Sequence, residues 1–130
     1  MQNNVFGEPL ELCGLDPVTG YFRDGYTTTD ESDYGSHTVC AVVSAEFLEH
    51  QKSVGNDLST PAPQFGFAGL KPGDRWAVCA PRWQQALEDG AACGVVLSAT
   101  NEAALEYINS EDLMANSVDV PPDLSELTES

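Results

Sequence analysis

The chain has 130 residues, of which 42% are hydrophobic, and it carries 21 acidic against five basic side chains, a formal net charge of −16. That composition excludes a disordered chain, and the length suits one domain with a core of its own. The charge excludes direct nucleic-acid binding, which needs a positive footprint, and no apolar run reaches the roughly 18 residues of a membrane span.

The acids are spread rather than gathered in one tail. Residues 1–36 hold seven acids and one base, residues 37–101 six and four, and residues 102–130 eight acids and no base. A surface this negative repels itself, and salt relieves the repulsion as the screening length falls from about 8 Å at physiological ionic strength to about 3 Å in molar salt. The expectation is a salt-adapted acidic protein. Met1-Gln2-Asn3-Asn4 offers neither a basic start nor an apolar stretch, so a cytosolic location is expected. Residues 1–120 are expected to form the single globular domain and residues 121–130 a flexible acidic tail.

Turn residues dominate the first 36 positions, with Asp16-Pro17-Val18-Thr19-Gly20 and Arg23-Asp24-Gly25 as turn signals and Leu10–Cys13 as a candidate short strand. Tyr21, Phe22 and Tyr26 are available there as anchors. The β-branched run Thr38–Val43 predicts a buried strand. Ser44 then caps a helix over Ala45–Val54, and Gly55 suits its left-handed end. A long loop follows from Asn56 to Gly73, pinned by Phe65, Phe67 and Leu70. Arg75–Ala80 predicts a second strand, Pro81 opens a second helix with Trp83, Ala86 and Leu87 at helical spacing, and Gly90 ends it. Val95–Ala99 predicts a third strand, Ala103–Ile108 its return partner in a hairpin, and Ser110 caps a short helix over Glu111–Ala115 ended by a left-handed Asn116. The sum is an α+β domain: a small mixed sheet with two or three short helices and long ordered loops.

Four strings carry a resemblance: Asp16–Gly25, Gly35-Ser36-His37-Thr38-Val39-Cys40-Ala41-Val42, Gly55–Pro61, and Phe67–Trp76 continuing to Cys79-Ala80-Pro81-Arg82-Trp83. From about Asn4 to Asp119 the chain resembles the small-protein family known as domain of unknown function 2237. The resemblance implies a single small cytosolic domain and no established activity. It also implies further cysteines where this chain has Gly14, Gly25 or Tyr26, and Ala77. Cys13, Cys40 and Cys79 match it.

The four cysteines, 13, 40, 79 and 93, lack CxxC spacing, and the expectation is reduced thiols packed as small apolar groups. A thiol enzyme would need a base beside its cysteine, and His37 is the candidate for Cys40 or Cys79. Side chains alternate along a strand, so His37 meets Cys40 only if it precedes the strand or a bulge intervenes. Cys40 could instead meet Cys79 or Cys13 on a neighbouring strand.

The scarce arginines point elsewhere. Arg23, Arg75 and Arg82, the last two each followed by a tryptophan (Trp76 and Trp83), suit an anion site completed by His37. The plainer alternative pairs Arg23 with Asp24 or Asp16, and Arg75 with Asp57 or Asp74. Asp57 and Asp74 could supply an acid and a base, or simply bond their own turns. Asp30-Glu31-Ser32-Asp33 is expected to be solvated surface. The leading expectation is a domain binding a small anion or a protein partner through Arg23, His37, Asp57, Asp74, Arg75, Trp76 and Arg82. No cofactor, metal, nucleic acid or membrane is expected, and a homodimer is allowed. The alternative is a thiol-dependent or metal-assisted enzyme using Cys40, Cys79 and His37.

Overall fold

The computed structural model describes residues 2–15, 17–65 and 67–119. Asp16 and the expected tail at 121–130 lie outside the described residues. The fold is α+β. The apolar run forms β1 (Val39–Val42), followed by α1 (Ala45–Ser53), β2 (Arg75–Val78), α2 (Ala80–Glu88), β3 (Gly94–Val95) and α3 (Ser110–Ala115), with 3-10 turns at Pro63–Phe65, Leu97–Ala99 and Glu102–Glu106. The sheet has the order β2-β1-β3 and both pairings are antiparallel, with Cys40 opposite Ala77 and Ala41 opposite both Trp76 and Val95. The only parallel pairing among the described residues is the isolated bridge Val95–Ser117.

Local chemistry sets the helix ends. Ser44 Oγ accepts the Phe47 amide at the start of α1, and Gly55 follows its end at φ 88°. Pro81 stands in the first turn of α2, where no helical amide is needed, and Gly90 (φ 77°) follows its last turn. The alternation of β1 divides the interior. Val39, Ala41 and Val43 face the main core with Phe47, Trp83, Leu97 and Ile108, while Cys40 turns to a smaller cluster with Cys13, Val96 and Ala99.

The structure corrects four expectations. Leu10–Cys13 is not a strand. The third strand stops at Val95, because the Asp119 carboxylate accepts the Leu97 and Ser98 amides and turns the chain into 3-10 geometry. Ala103–Ile108 does not return as a hairpin, since Asn101 caps Ala103 and starts a 3-10 turn. Asn116 ends α3 at φ −110°, outside the left-handed region.

The N-terminal arm has almost no regular structure and is stitched to the sheet by buried groups. Thr19 Oγ1 accepts the Ala77 amide at 2.7 Å, and Thr27 Oγ1 donates to the Ala99 carbonyl at 2.7 Å. Cys13 is bonded to Cys40 across a sequence separation of 27, so these two are not the reduced thiols that their spacing suggested. Closing a loop of that length contributes roughly 3.5 kcal/mol by restricting the unfolded chain. Replacing both cysteines by serine should lower unfolding stability in urea by about that amount. An unchanged urea midpoint would show that the bond does not form in solution.

Candidate functional site

His37 is presented by a tight double turn. Asp33 donates its amide to the Asp30 carbonyl and Ser36 donates to the Asp33 carbonyl, after which Ser36 adopts φ 51°. A left-handed serine costs free energy of order 1 kcal/mol, held here by its surroundings. The Ser36 carbonyl accepts the amides of Thr38 (2.7 Å) and Ala80 (2.9 Å), which fastens this turn to the start of α2. Cys79 is the residue preceding α2, at its N-cap. The same bond therefore brings His37 beside Cys79.

The three groups form a line. His37 Nδ1 lies 2.6 Å from Asp33 Oδ1, and the Asp33 side chain is fully buried. Asp33 Oδ2 accepts the His37 amide (2.9 Å) and the Thr29 hydroxyl (3.0 Å), which leaves the carboxylate one orientation. On the far side of the ring, Nε2 lies 3.3 Å from Cys79 Sγ. With Nδ1–H donated to Asp33, neutral His37 offers Nε2 as an acceptor for the thiol proton. After transfer, the imidazolium donates to the thiolate. Tyr21 packs against the ring, its centroid 5.7 Å away, and anchors its hydroxyl on the Ser32 carbonyl.

Contact with the Cys79 sulfur, first of all, and then the Asp33 carboxylate outweigh desolvation and push the His37 pKa up to about 9 from 6.5. The N-terminus of α2 adds a positive end next to the sulfur. Gly35 leaves room for the contact: a Cβ there would stand 3.0 Å from Cys79 Sγ and 3.1 Å from His37 Cε1. The remaining free cysteine among the described residues, Cys93, is buried, and burial pushes its thiol up to about 12.

Each partner of the Cys79–His37 contact lines a cleft of its own. On the His37 side, a cleft of about 290 Å³ is lined by Arg23, Leu58, Ala62, Phe67 and Trp76. Arg23 lays its guanidinium 4.9 Å above the Trp76 ring, and Phe67 supports that ring at 5.3 Å. On the Cys79 side, a cleft of about 600 Å³ is lined by Gly35, Asn56, Pro81, Arg82 and Gln85. Asn56 is gripped there by fully buried Gln51, to which it donates both its main-chain amide (2.7 Å) and its Nδ2 (2.8 Å). A further cavity is lined, among the described residues, by Gln2, Leu10, Tyr26 and Thr28, none of which carries a thiol, imidazole or carboxylate.

The structure thus gathers His37, Cys79, Arg23, Trp76 and Arg82, and leaves the other candidates apart. Cys40 is bonded to Cys13 and fully buried, so it carries no free thiol for His37. Arg75 is exposed and lines neither cleft. Asp57 accepts from the Ser59 and Thr60 amides and hydroxyls, which lowers its pKa to about 2, while Asp74 accepts the Lys71 amide. Both aspartates close their own turns. Of the arginine–carboxylate pairs considered from sequence, Arg23–Asp24, Arg75–Asp57 and Arg75–Asp74 are not made, and Arg23–Asp16 lies outside the described residues, among which the close cation–carboxylate contacts are His37–Asp33 and His50–Asp89.

Asp33 is the residue that sequence reasoning missed. Its place in an acidic, turn-rich cluster suggests solvated surface, yet its side chain is buried against His37. The signal was the four-residue spacing from Asp33 to His37, legible only once the intervening turns are known. Among the described residues no cluster of three or more His, Cys, Asp or Glu suits a metal ion. Asp33 and Cys79 occupy opposite nitrogens of one imidazole, so the three groups do not converge on a point.

A buried carboxylate, an imidazole and a half-buried thiol at a helix start define a small α+β domain with a cysteine–histidine–aspartate array. The chain belongs to the family described as an uncharacterized protein conserved in bacteria (DUF2237), matched over residues 3–117. No curated protein matches it. No helix among the described residues is long and apolar enough to cross a membrane.

A histidine that holds its proton more tightly when folded stabilises the fold fully below pH 6.5, and this contribution is lost as pH rises through about 9. Unfolding midpoints should therefore fall across that window, and His37→Gln should flatten the fall. Imidazole titration by NMR should give a midpoint near 9 for His37, lowered by Cys79→Ala and also by Gly35→Ala, whose methyl group parts sulfur from ring. A midpoint at the ordinary histidine value in the parent protein would show that the contact is not made.

Proposed function

We propose that this domain is a thiol-dependent enzyme acting on small anionic electrophiles, with Cys79 as nucleophile, His37 as its base and Asp33 as the group that orients the base. The observation that carries this reading is the 3.3 Å approach of His37 Nε2 to Cys79 Sγ, with Nδ1 committed to a buried carboxylate. An active thiol requires a base at hydrogen-bond distance and a third group to hold the base in one tautomer. The anionic preference rests on the arginines. In so acidic a chain, Arg23 and Arg82 flank the thiol without a carboxylate partner among the described residues. Arg23 Nη1 donates to the Gly20 carbonyl, and Arg82 Nη1 donates to the Val54 carbonyl and to Gln85 Oε1.

Iodoacetamide labelling near neutral pH, read by mass spectrometry, tests the nucleophile. Cys79 should label rapidly and Cys93 slowly, and His37→Gln should slow Cys79 by about tenfold or more. Asp33→Asn should slow it by a smaller factor while leaving the thiol as exposed as before. Labelling of Cys79 at the rate of an ordinary thiol, indifferent to His37, would remove the proposal.

The lack of lysine– or arginine–carboxylate pairs among the described residues supports reading the charge as an adaptation to salt. Lys52, Lys71 and the arginines neutralise none of the described carboxylates by direct pairing. The thermal midpoint should therefore rise from dilute buffer to molar potassium chloride as self-repulsion is screened. An equal midpoint in both would contradict it.

A further inference from the structure

We infer that the electrophile taken by Cys79 is the sulfur of a small, carboxylate-bearing disulfide rather than an acyl carbon. This rests on the thiol reading above and specifies its substrate class. Acyl transfer creates an oxyanion and usually aims a pair of preorganised donors at it. The main chain at the nucleophile supplies no such pair: the Ala80 amide is donated to the Ser36 carbonyl at 2.9 Å and Pro81 has no amide hydrogen, which leaves only the Cys79 amide among residues 79–81. Attack on a disulfide makes no such demand. It needs a thiolate, a proton for the departing thiol and access along the S–S axis.

One cleft is lined by His37 and the other by Cys79, which gives each half of the substrate a place beside the reacting pair. His37 receives the Cys79 proton at Nε2, so the half that departs lies on the His37 side, against Phe67 and Trp76 and beneath the reach of Arg23. The half that is retained lies on the Cys79 side, where Arg82 and the Gln51-held Asn56 meet a carboxylate. In the step itself a bond forms between Cys79 Sγ and the near sulfur of the substrate while the substrate S–S bond breaks. The departing thiolate takes the proton from His37. A second small thiol then gives its proton to His37 Nε2 and attacks the retained sulfur; that new S–S bond forms as the bond to Cys79 Sγ breaks, and Cys79 leaves as a thiolate beside the imidazolium, so the net reaction is exchange between a disulfide and a thiol, with no outside oxidant. The Cys13–Cys40 bond is buried at both ends and remains intact throughout.

Exchange between mercaptoethanol and the dianionic aromatic disulfide dithiobis(nitrobenzoate), with neutral dithiodipyridine as control, tests the inference. The parent protein should accelerate the first exchange with turnover, and Cys79→Ser should abolish the acceleration. Arg82→Gln should slow the dianionic reaction by about tenfold while changing the neutral one by less than about twofold, and Arg82→Lys should restore most of the difference. Circular dichroism identifies any variant that fails to fold, and the lysine variant keeps the test open in that case. Cys79-dependent turnover of p-nitrophenyl acetate without acceleration of disulfide exchange would overturn the inference and leave the thiol reading standing. A Cys79 inert to iodoacetamide as well would overturn both.

Discussion

Among its described residues the segment between Cys13 and Cys40 holds neither helix nor strand until β1 begins, yet it carries Tyr21, Arg23, Asp33, Gly35 and His37. Everything proposed for this site depends on that segment being held. One covalent bond closes it onto the central strand, and two buried threonine hydroxyls fasten its middle to the backbone of Ala77 and Ala99. The Ser36 carbonyl then fixes its end against Ala80. Loop-borne functional groups need a rigid frame beneath them, and here the frame is three short strands with a disulfide rivet. The thiol and Arg82 come from the opposite partner, the junction of β2 and α2. The site is therefore an interface between an irregular arm and a regular core, and closing that interface is what assembles it.

Much of the core was legible from local patterns. The apolar run at residues 38–43, the Ser44 cap, Pro81 before a helical apolar stripe, and the glycines at 55 and 90 each act within a few residues of themselves. Such signals survive folding because they do not depend on remote partners. The misread segments are those whose hydrogen bonds go to distant groups. Leu97 and Ser98 have strand-like composition, but the Asp119 carboxylate takes their amides. The Ala103–Ile108 segment follows Asn101, whose side chain donates to Gln2 and to the Thr27 carbonyl, so a contact across nearly the whole chain decides its conformation.

The site shows the same division. His37, Cys79, Arg23, Trp76 and Arg82 were visible as residues able to do chemistry, and alternation along β1 already set His37 apart from Cys40. Which cysteine the imidazole meets was not visible, because the answer lies in a carbonyl-to-amide bond between residues 36 and 80. Asp33 was hidden for a related reason. An aspartate in an acidic, turn-rich stretch is usually solvated, and only the double turn buries this one. Arg23 and Arg82 line the clefts, while Arg75 is exposed and lines neither, so scarcity of positive charge alone does not assign a role.

A crystal structure of the protein, with Cys79 kept unmodified, tests the central claim most directly. Cys79 Sγ should lie near 3.3 Å from His37 Nε2, with the Asp33 carboxylate buried against Nδ1. An imidazole turned to solvent, or a His37 separated from Cys79 by an arm that does not close on β2 and α2, would contradict it.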